Sequence, residues 1–263
     1  MDRLVGDQVA ARESREMNAY DKLLREWPYE PGVVQAREAT GSNGEPRIQL
    51  RVDLGILQME LSGRPDGLHP MGCESLLDHF ERLAVRAERE GKPEAFRLTP
   101  EDCVRLQQEG VQYYHRYLAC FQLQRFAEVA RDTERNLRLF DFVEKHASKG
   151  ELGIMFQQFR PYVLMMRTRA RAMLALQKED YGEVIRLIEE GIREIRDFVT
   201  ERFPPEALDH CNEIGFLQKW LDEVKKERPL TPREKLQRQL HEAVEAEDYE
   251  KAARLRDALK EIG

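Results

Sequence analysis

The spacing of apolar residues limits the fold of this chain most strongly, because a helical period covers nearly all of it. From Ser75 onward apolar residues recur every three or four positions, whereas alternation of apolar and polar residues is confined to residues 33–62. This pattern predicts a mainly α protein with one small sheet near its N-terminus. With 41% hydrophobic residues among 263, the chain has enough apolar material for a core.

The alternating segment predicts a small antiparallel meander of three strands. We expect the strands at residues 33–39, 47–53 and 57–62, and Asn43-Gly44 supplies backbone positions with positive φ in the first turn. Apolar and polar residues alternate along the second and third segments, which predicts one buried face. Because three strands alone are only marginally stable, we expect that face to pack on helices.

Helix start and stop signals divide the remainder of the chain into successive helices. Thr99-Pro100 places an N-cap side chain before a proline at the first helical position, and Asp180 is a similar N-cap. The expected helices cover residues 14–26, 76–90, 100–123, 126–143, 161–177, 181–203 and 206–227. The third of these carries aromatic and aliphatic residues on most of its faces, so we expect it to pack on more than one side.

Two of the expected helix pairs resemble each other around the turn. Residues 118–129 and 173–184 each contain small and aliphatic residues that end one helix, a short polar turn, and an aromatic residue that opens the next. This pattern resembles the turn of tetratricopeptide (TPR) repeats, so we expect a TPR-like body over residues 71–228. An irregular helical bundle is the alternative, because Phe126 and Tyr181 lie 55 positions apart whereas the usual period is about 34.

The C-terminal residues predict a separate helical hairpin. Thr231 and Glu234 fit a capping box, and Glu247-Asp248 fits the turn between two short amphipathic helices. A hairpin of about 33 residues buries too little apolar surface to offset chain entropy. Its apolar stripes must therefore contact the rest of the chain, a second copy or another protein. The expected domains are residues 1–70, 71–228 and 229–263.

The hairpin resembles the UVR motif of bacterial proteins. Residues 247–257 read Glu-Asp-Tyr-Glu-Lys-Ala-Ala-Arg-Leu-Arg-Asp, they follow Leu236 and Leu240, and nearly every signature position is filled. The motif occurs in the excision-repair proteins UvrB and UvrC and in regulators of Clp proteolysis such as the protein-arginine-kinase activator. There it pairs with another UVR hairpin or with its own copy, so the resemblance implies a role in protein–protein association.

The resemblance also implies roles for single residues of the hairpin. Tyr249 stands where the family usually has Phe, and Ala252 and Ala253 would allow the two helices to approach closely. Arg256 and Asp257 take the family's charged pair, for which a solvated helix face is the alternative. The candidate protein-interaction residues are Leu236, Leu240, Val244, Tyr249, Ala252, Leu255, Arg256, Leu259 and Ile262.

We assign no catalytic, cofactor-binding or metal-binding residue from the sequence. It lacks the GxxxxGK[ST] phosphate loop of UvrB, a nuclease segment like that of UvrC and the CxxC pairs of the kinase activator. The compact group of possible metal ligands is His69, Cys73, Asp78 and His79. Their spacing differs from the paired spacing typical of zinc sites. We expect a protein that is not an enzyme and binds no cofactor, and an enzyme that uses this group is our third hypothesis.

A face rich in arginine is the basis of a second hypothesis. Arg160, Arg167 and Arg171 fall on one side of a predicted helix, where they could bind a nucleic-acid backbone. That would make the chain a nucleic-acid-associated repair accessory. Because the net charge is −7, we favour instead a solvated face paired with carboxylates, and we do not expect nucleic acid as a direct ligand.

The remaining patterns concern location and partners. No apolar run approaches the roughly 20 residues needed to span a bilayer, and the first residues lack the apolar core of a signal peptide. Four cysteines without a CxxC pair favour a reducing compartment. We therefore expect a cytoplasmic, non-enzymatic adaptor whose hairpin binds another UVR-motif protein or a second copy. The resemblance makes DNA excision repair and Clp-type protein quality control its two natural pathways.

Overall fold

A computed structural model describes residues 18–148, 150–229 and 232–262 of the chain. Over these ranges the protein is mainly helical with one three-stranded sheet near the N-terminus, which confirms the predicted fold class. The helices are α1 (Ala19–Glu26), α2 (Leu76–Arg89), α3 (Pro100–Gln122), α4 (Phe126–His146), α5 (Gly150–Gln157), α6 (Arg160–Leu176), α7 (Tyr181–Arg202), α8 (Asn212–Glu227), α9 (Pro232–Glu245) and α10 (Tyr249–Ile262). None of the helices in these ranges is long and apolar enough to cross a membrane.

The chain falls into two compact units, Met1–Leu217 and Gln218–Gly263. The first unit contains the sheet and helices α1 to α7, and the second contains α9 and α10, while α8 contributes residues to both. Most buried apolar side chains of the first unit come from the sheet and from α2 to α7, while Leu98 and Leu217 are buried outside these elements. The sequence-based division at residues 70 and 228 stays a prediction.

The sheet is an antiparallel meander in the order β1-β2-β3, as the alternation of residues predicts. Its strands are β1 (Gln35–Thr40), β2 (Pro46–Val52) and β3 (Gly55–Glu60). Leu50 of β2 pairs with Ala36 on one side and with Leu57 on the other. In the first turn Gly44 has the positive φ of +82° that glycine adopts without strain. The first strand begins two residues later than expected, so Val33 precedes it and is exposed.

Both faces of the central strand β2 are covered. Ile48 and Leu50 are buried on one face, and β2 contacts α3. Gln49 and Arg51, which point to the opposite face, are buried as well. Arg51 Nε donates a hydrogen bond of 2.8 Å to the carbonyl oxygen of Trp27, which directly follows α1. The prediction of a single buried face was therefore wrong, because hydrogen bonds allow these polar side chains to be buried.

Two predicted helix starts are confirmed in atomic detail. The Thr99 hydroxyl accepts a hydrogen bond from the Asp102 amide at 3.1 Å, and the Asp102 carboxylate accepts one from the Thr99 amide at 3.0 Å. This reciprocal pair is a capping box. The Asp180 carboxylate likewise accepts from the Glu183 amide at 3.0 Å and caps α7.

Other helix boundaries differ from the expectation. α8 begins at Asn212 rather than Glu206, because Pro205–Ala207 form a separate 3-10 turn. The short helix α5 occupies residues for which we predicted no helix. It lacks a start signal as clear as Thr99-Pro100, and for that reason the sequence did not reveal it.

Three turns between consecutive helices share one backbone conformation. In each, a polar residue other than glycine has a left-handed φ: Gln124 at +57°, Glu179 at +57° and Glu247 at +56°. The amide of the next residue donates to a carbonyl oxygen five positions earlier, at 2.8 to 3.1 Å, and an aromatic residue then opens α4, α7 or α10. The likeness of the two helix pairs thus includes their turns, whereas a TPR-like body stays a prediction.

A buried arginine joins the sheet to the helices. The side chains of Arg116 in α3 and Asp132 in α4 are each 1% exposed and form a bidentate ion pair, with Nε–Oδ2 at 2.7 Å and Nη2–Oδ1 at 2.9 Å. Arg116 Nη1 donates to the carbonyl oxygens of Glu60 at 3.0 Å and Gly63 at 2.8 Å. One side chain therefore ties α3, α4 and the end of β3 together.

A second buried carboxylate caps α2 from outside that helix. Glu109 of α3 is fully buried and accepts hydrogen bonds from the amides of Leu76 at 2.8 Å and Leu77 at 3.2 Å. Glu109 also forms an ion pair with Arg135 of α4. The first amides of a helix have no acceptor within the helix, and this carboxylate accepts hydrogen bonds from two of them.

Candidate interaction hairpin

The predicted C-terminal hairpin is formed by α9 and α10. Its turn contains Glu247 in the left-handed conformation, and the Asp248 amide donates to the carbonyl oxygen of Ala243 at 2.9 Å. The Asp248 carboxylate accepts from the amide of Lys251 at 3.0 Å and so caps α10. The expected turn at Glu247-Asp248 is confirmed, while the expected cap by Thr231 lies outside the described residues.

Small side chains lie at the closed end of the hairpin. Ala243 and Ala252, on the two sides of the turn, are buried. Their size lets the two helix axes come close together. Ala253 is exposed, so of the two alanines singled out by the resemblance only Ala252 is in a buried position.

The candidate interaction residues remain largely accessible. Val244 is 49% exposed and Tyr249 is 68% exposed, which is high for residues of their size. The leucines of the two stripes are partly exposed, namely Leu236, Leu240, Leu255 and Leu259. The side chain of Ile262 lies outside the described part of the structure. The hairpin thus presents several apolar side chains that its own two helices do not cover.

The charged residues of the hairpin form exposed ion pairs. Arg256 Nε lies 3.4 Å from Asp257 Oδ1, and Lys260 Nζ lies 3.3 Å from the same oxygen. The hydrogen bond from Lys260, followed by the nearby charge of Arg256, lowers the pKa of Asp257. Solvent screens such pairs and they stabilise little, so the geometry agrees with the solvated face weighed as the alternative for Arg256.

The arginine face proposed from the sequence is paired with carboxylates. Each arginine lies within ion-pair distance of at least one acid: Arg160 of Asp141, Arg167 of Glu134 and Glu194, and Arg171 of Glu134. The side chains of Arg160 and Arg167 are mostly covered, whereas Arg171 is exposed. Because acidic side chains neutralise these arginines, the geometry favours a structural role for this face over a basic groove that binds nucleic acid.

The candidate metal ligands do not come together as a set. Cys73 Sγ lies 4.0 Å from His79 Nδ1 and accepts a hydrogen bond of 3.4 Å from Arg82. His69 is exposed to solvent. Among the residues that the structure describes, no group of three His, Cys, Asp or Glu side chains could hold a metal ion.

A cavity of about 460 Å³ in the first unit was not foreseen from the sequence. It lies among α3, α4, α5 and α6, and aromatic rings form much of its wall: Tyr114, Tyr117, Phe140, Phe156, Phe159 and Tyr162. The related signal in the sequence is the aromatic character of α3 on most of its faces. Since four helices contribute to the wall, their packing had to be known before the cavity could be found.

Comparison with known proteins identifies the hairpin and nothing else in the chain. A family model described as the UvrB/uvrC motif (UVR) matches residues 233–263, which include nearly all of α9 and α10. No curated protein and no solved structure matches the chain. The chain therefore contains a UVR motif at its C-terminal end, as the resemblance indicated.

Proposed function

We propose that this protein is a non-enzymatic adaptor that binds a partner through its UVR hairpin, α9 and α10. The observation that carries the proposal is the UVR match at residues 233–263 on a hairpin with accessible apolar stripes. The family uses this motif to associate with proteins, either with another UVR hairpin or with its own copy. The proposed setting is the cytoplasm, in DNA excision repair or in Clp-type protein quality control.

The packing of the hairpin explains why it would need a partner. Its small buried residues, Ala243 and Ala252, contribute little apolar area, while Leu240 and Leu259 stay partly in water. Burying a leucine side chain completely stabilises by about 1.5–3 kcal/mol. Association would bury the stripes and supply free energy that two short helices do not obtain from each other.

A partner with the same kind of surface fits this arrangement. A second copy of the hairpin would present the same stripes, and a two-fold axis would bring each stripe onto its equivalent. Another UVR-motif protein would offer a similar face. The exposed ion pairs on the outer side, such as Arg254 with Glu250, would stay in solvent in either complex.

The proposal is tested by placing charges on both stripes. Leu240→Asp with Leu259→Asp should abolish self-association and partner capture, because two carboxylates would have to be buried without counter-charges. Sedimentation velocity measures self-association, and circular dichroism shows whether the rest of the chain stays helical. Capture from a native lysate with the full chain as bait measures binding to other proteins.

A matched control has the same change in net charge. Arg238→Gln with Arg254→Gln also lowers the net charge by two, but both side chains are well exposed on the outer faces of α9 and α10. This variant should associate like the original chain. Unchanged association of the aspartate variant would show that the stripes are not the interface.

Truncation separates the hairpin from the rest of the chain. A chain that ends at Arg228 lacks α9 and α10, so it should lose the partners that the hairpin recruits. The identity of those partners would distinguish excision repair from control of proteolysis. If both chains capture the same proteins, the adaptor function does not lie in the hairpin.

A further inference from the structure

The cavity among α3, α4, α5 and α6 has the dimensions of a small-molecule site. Its volume of about 460 Å³ falls in the range of roughly 300–1,000 Å³ in which ligand pockets occur. The described residues that line it are apolar, aromatic or neutral polar, and none of them carries a charge. A charged ligand would lose its hydration there without gaining a counter-charge, so the wall favours an uncharged one.

Three tyrosines add hydroxyl groups to this largely apolar wall, which also includes the amides of Gln107 and Asn136. The ring of Tyr114 meets that of Tyr117 edge-to-face with centroids 5.5 Å apart, and its centroid lies 6.3 Å from that of Tyr162. Tyr117 is only 1% exposed. Within the described part of the chain none of the three hydroxyls forms a hydrogen bond. Tyr114 and Tyr162 are only partly buried. Among the described residues, Arg135 Nε is the fully buried side-chain nitrogen or oxygen without a hydrogen-bond partner, so the three tyrosine hydroxyls remain accessible and can donate to a bound molecule.

The hydroxyls of Tyr117 and Tyr162 stay protonated around neutral pH. Burial raises the pKa of Tyr117 above its ordinary value, and the neighbouring phenols Tyr162 and Tyr114 raise it further. Burial likewise raises the pKa of Tyr162. Both of these phenols are therefore available as neutral O–H donors, and a carbonyl oxygen is a suitable acceptor for them.

We propose that this cavity is a binding site for an uncharged aromatic compound with a carbonyl-type hydrogen-bond acceptor. The rings of Phe140, Phe156 and Phe159 would enclose its flat body, and the hydroxyl of Tyr117 would donate to its acceptor. Stacked and edge-to-face ring contacts together with one directed hydrogen bond provide both affinity and orientation.

This site is independent of the proposed hairpin function. All residues that line the cavity belong to the unit Met1–Leu217, whereas the UVR match begins at residue 233. The hairpin variant Leu240→Asp with Leu259→Asp should therefore keep the ligand affinity of the original chain. A failure of one proposal can thus be distinguished from a failure of the other.

The test uses prodan, an uncharged naphthalene ketone whose emission shifts to the blue in apolar surroundings. Titration of the full chain should show saturable binding of one prodan per chain with a blue shift. Tyr117→Phe removes only the hydroxyl and should weaken the affinity about fivefold, the size expected from one hydrogen bond. Tyr181→Phe removes a hydroxyl at a position that does not line the cavity and should leave the affinity unchanged.

A second pair of variants tests the location of the site. Val111 lines the cavity and is 45% exposed, so Val111→Trp should fill the space with an indole and abolish saturable binding. Val104 lies on the same helix, is 46% exposed and does not line the cavity, so Val104→Trp should bind like the original chain. Equal binding by these two variants, or by Tyr117→Phe and the original chain, would overturn the proposal.

Discussion

A buried charged residue makes a large contribution to stability only while all its partners remain. The guanidinium of Arg116 is held by both oxygens of Asp132 and by the carbonyl oxygens of Glu60 and Gly63. These hydrogen bonds offset the cost of removing the two charges from water. A buried charge that has lost its partner keeps the cost of its removal from water. Removing one member of the pair therefore destabilises the protein more than removing both.

Asp132→Ala should therefore destabilise the protein strongly. It leaves Arg116 buried without a counter-charge, and we expect the free energy of unfolding to fall by about 3–5 kcal/mol. Urea unfolding followed by circular dichroism measures the loss. Arg186→Ala breaks ion pairs on the exposed side of α7 and serves as the control, with stability nearly unchanged. Similar losses in both variants would show that the burial of Arg116 has little energetic effect.

Among the structural elements, the turns between paired helices carry a small backbone strain. A residue with a side chain in the left-handed conformation costs about 1 kcal/mol relative to its ordinary conformation. Gln124, Glu179 and Glu247 all adopt it, in the body as well as in the hairpin. The hydrogen bonds that follow each of these residues keep the turn in this form.

Gln124→Gly should stabilise the protein. Glycine adopts the left-handed conformation without strain, and we expect a net gain of roughly 0.5–1 kcal/mol in the free energy of unfolding. The matched change Gln108→Gly lies inside α3, where glycine costs about 1 kcal/mol. Thermal and urea unfolding should move the two variants in opposite directions. A loss of stability in both would contradict the role assigned to the turn.

Elements whose signals are local could be predicted from the sequence. Thr99 and Asp180 begin helices because their side chains bond to amides three positions away, so a few residues suffice to recognise them. Burial of Arg51 depends instead on the carbonyl oxygen of Trp27, 24 positions earlier in the chain. Burial of Gln49 depends on hydrogen bonds with Arg37 and Gln58 of the flanking strands. The second covered face of β2 was missed for that reason.

The difference between local and long-range determinants applies to the candidate sites as well. The UVR hairpin is a continuous stretch of about 30 residues, so its pattern is readable before any packing is known. The cavity combines Tyr117 of α3, Phe140 of α4, Phe156 of α5 and Tyr162 of α6. No short segment of the sequence contains these four residues together. The cavity itself forms because four helices pack around it.

The whole molecule consists of units that differ in their capacity to fold alone. The unit Met1–Leu217 contains the sheet, seven of the described helices and the buried ion pairs. The hairpin contributes two short helices with small buried residues. Domains below about 40 residues usually need outside support to fold.

A peptide of residues 229–263 should therefore be mostly unfolded at low micromolar concentration. Far-UV circular dichroism is expected to show little helix, and more helix at higher concentration if the peptide pairs with itself. The chain that ends at Arg228 should keep cooperative unfolding, since the buried ion pairs and the sheet remain. Full helicity of the peptide at every concentration would show that the hairpin needs no partner.

The cap that Glu109 provides to α2 links the exchange of two protons to a tertiary contact. The carboxylate belongs to α3 and holds the amide of Leu76, 33 positions earlier in the chain, and that of Leu77. Such an amide exchanges its hydrogen for deuterium only after the carboxylate has withdrawn. The isotope uptake of these two amides therefore records the separation of α2 from α3, whereas amides in the middle of α2 record the unwinding of that helix itself.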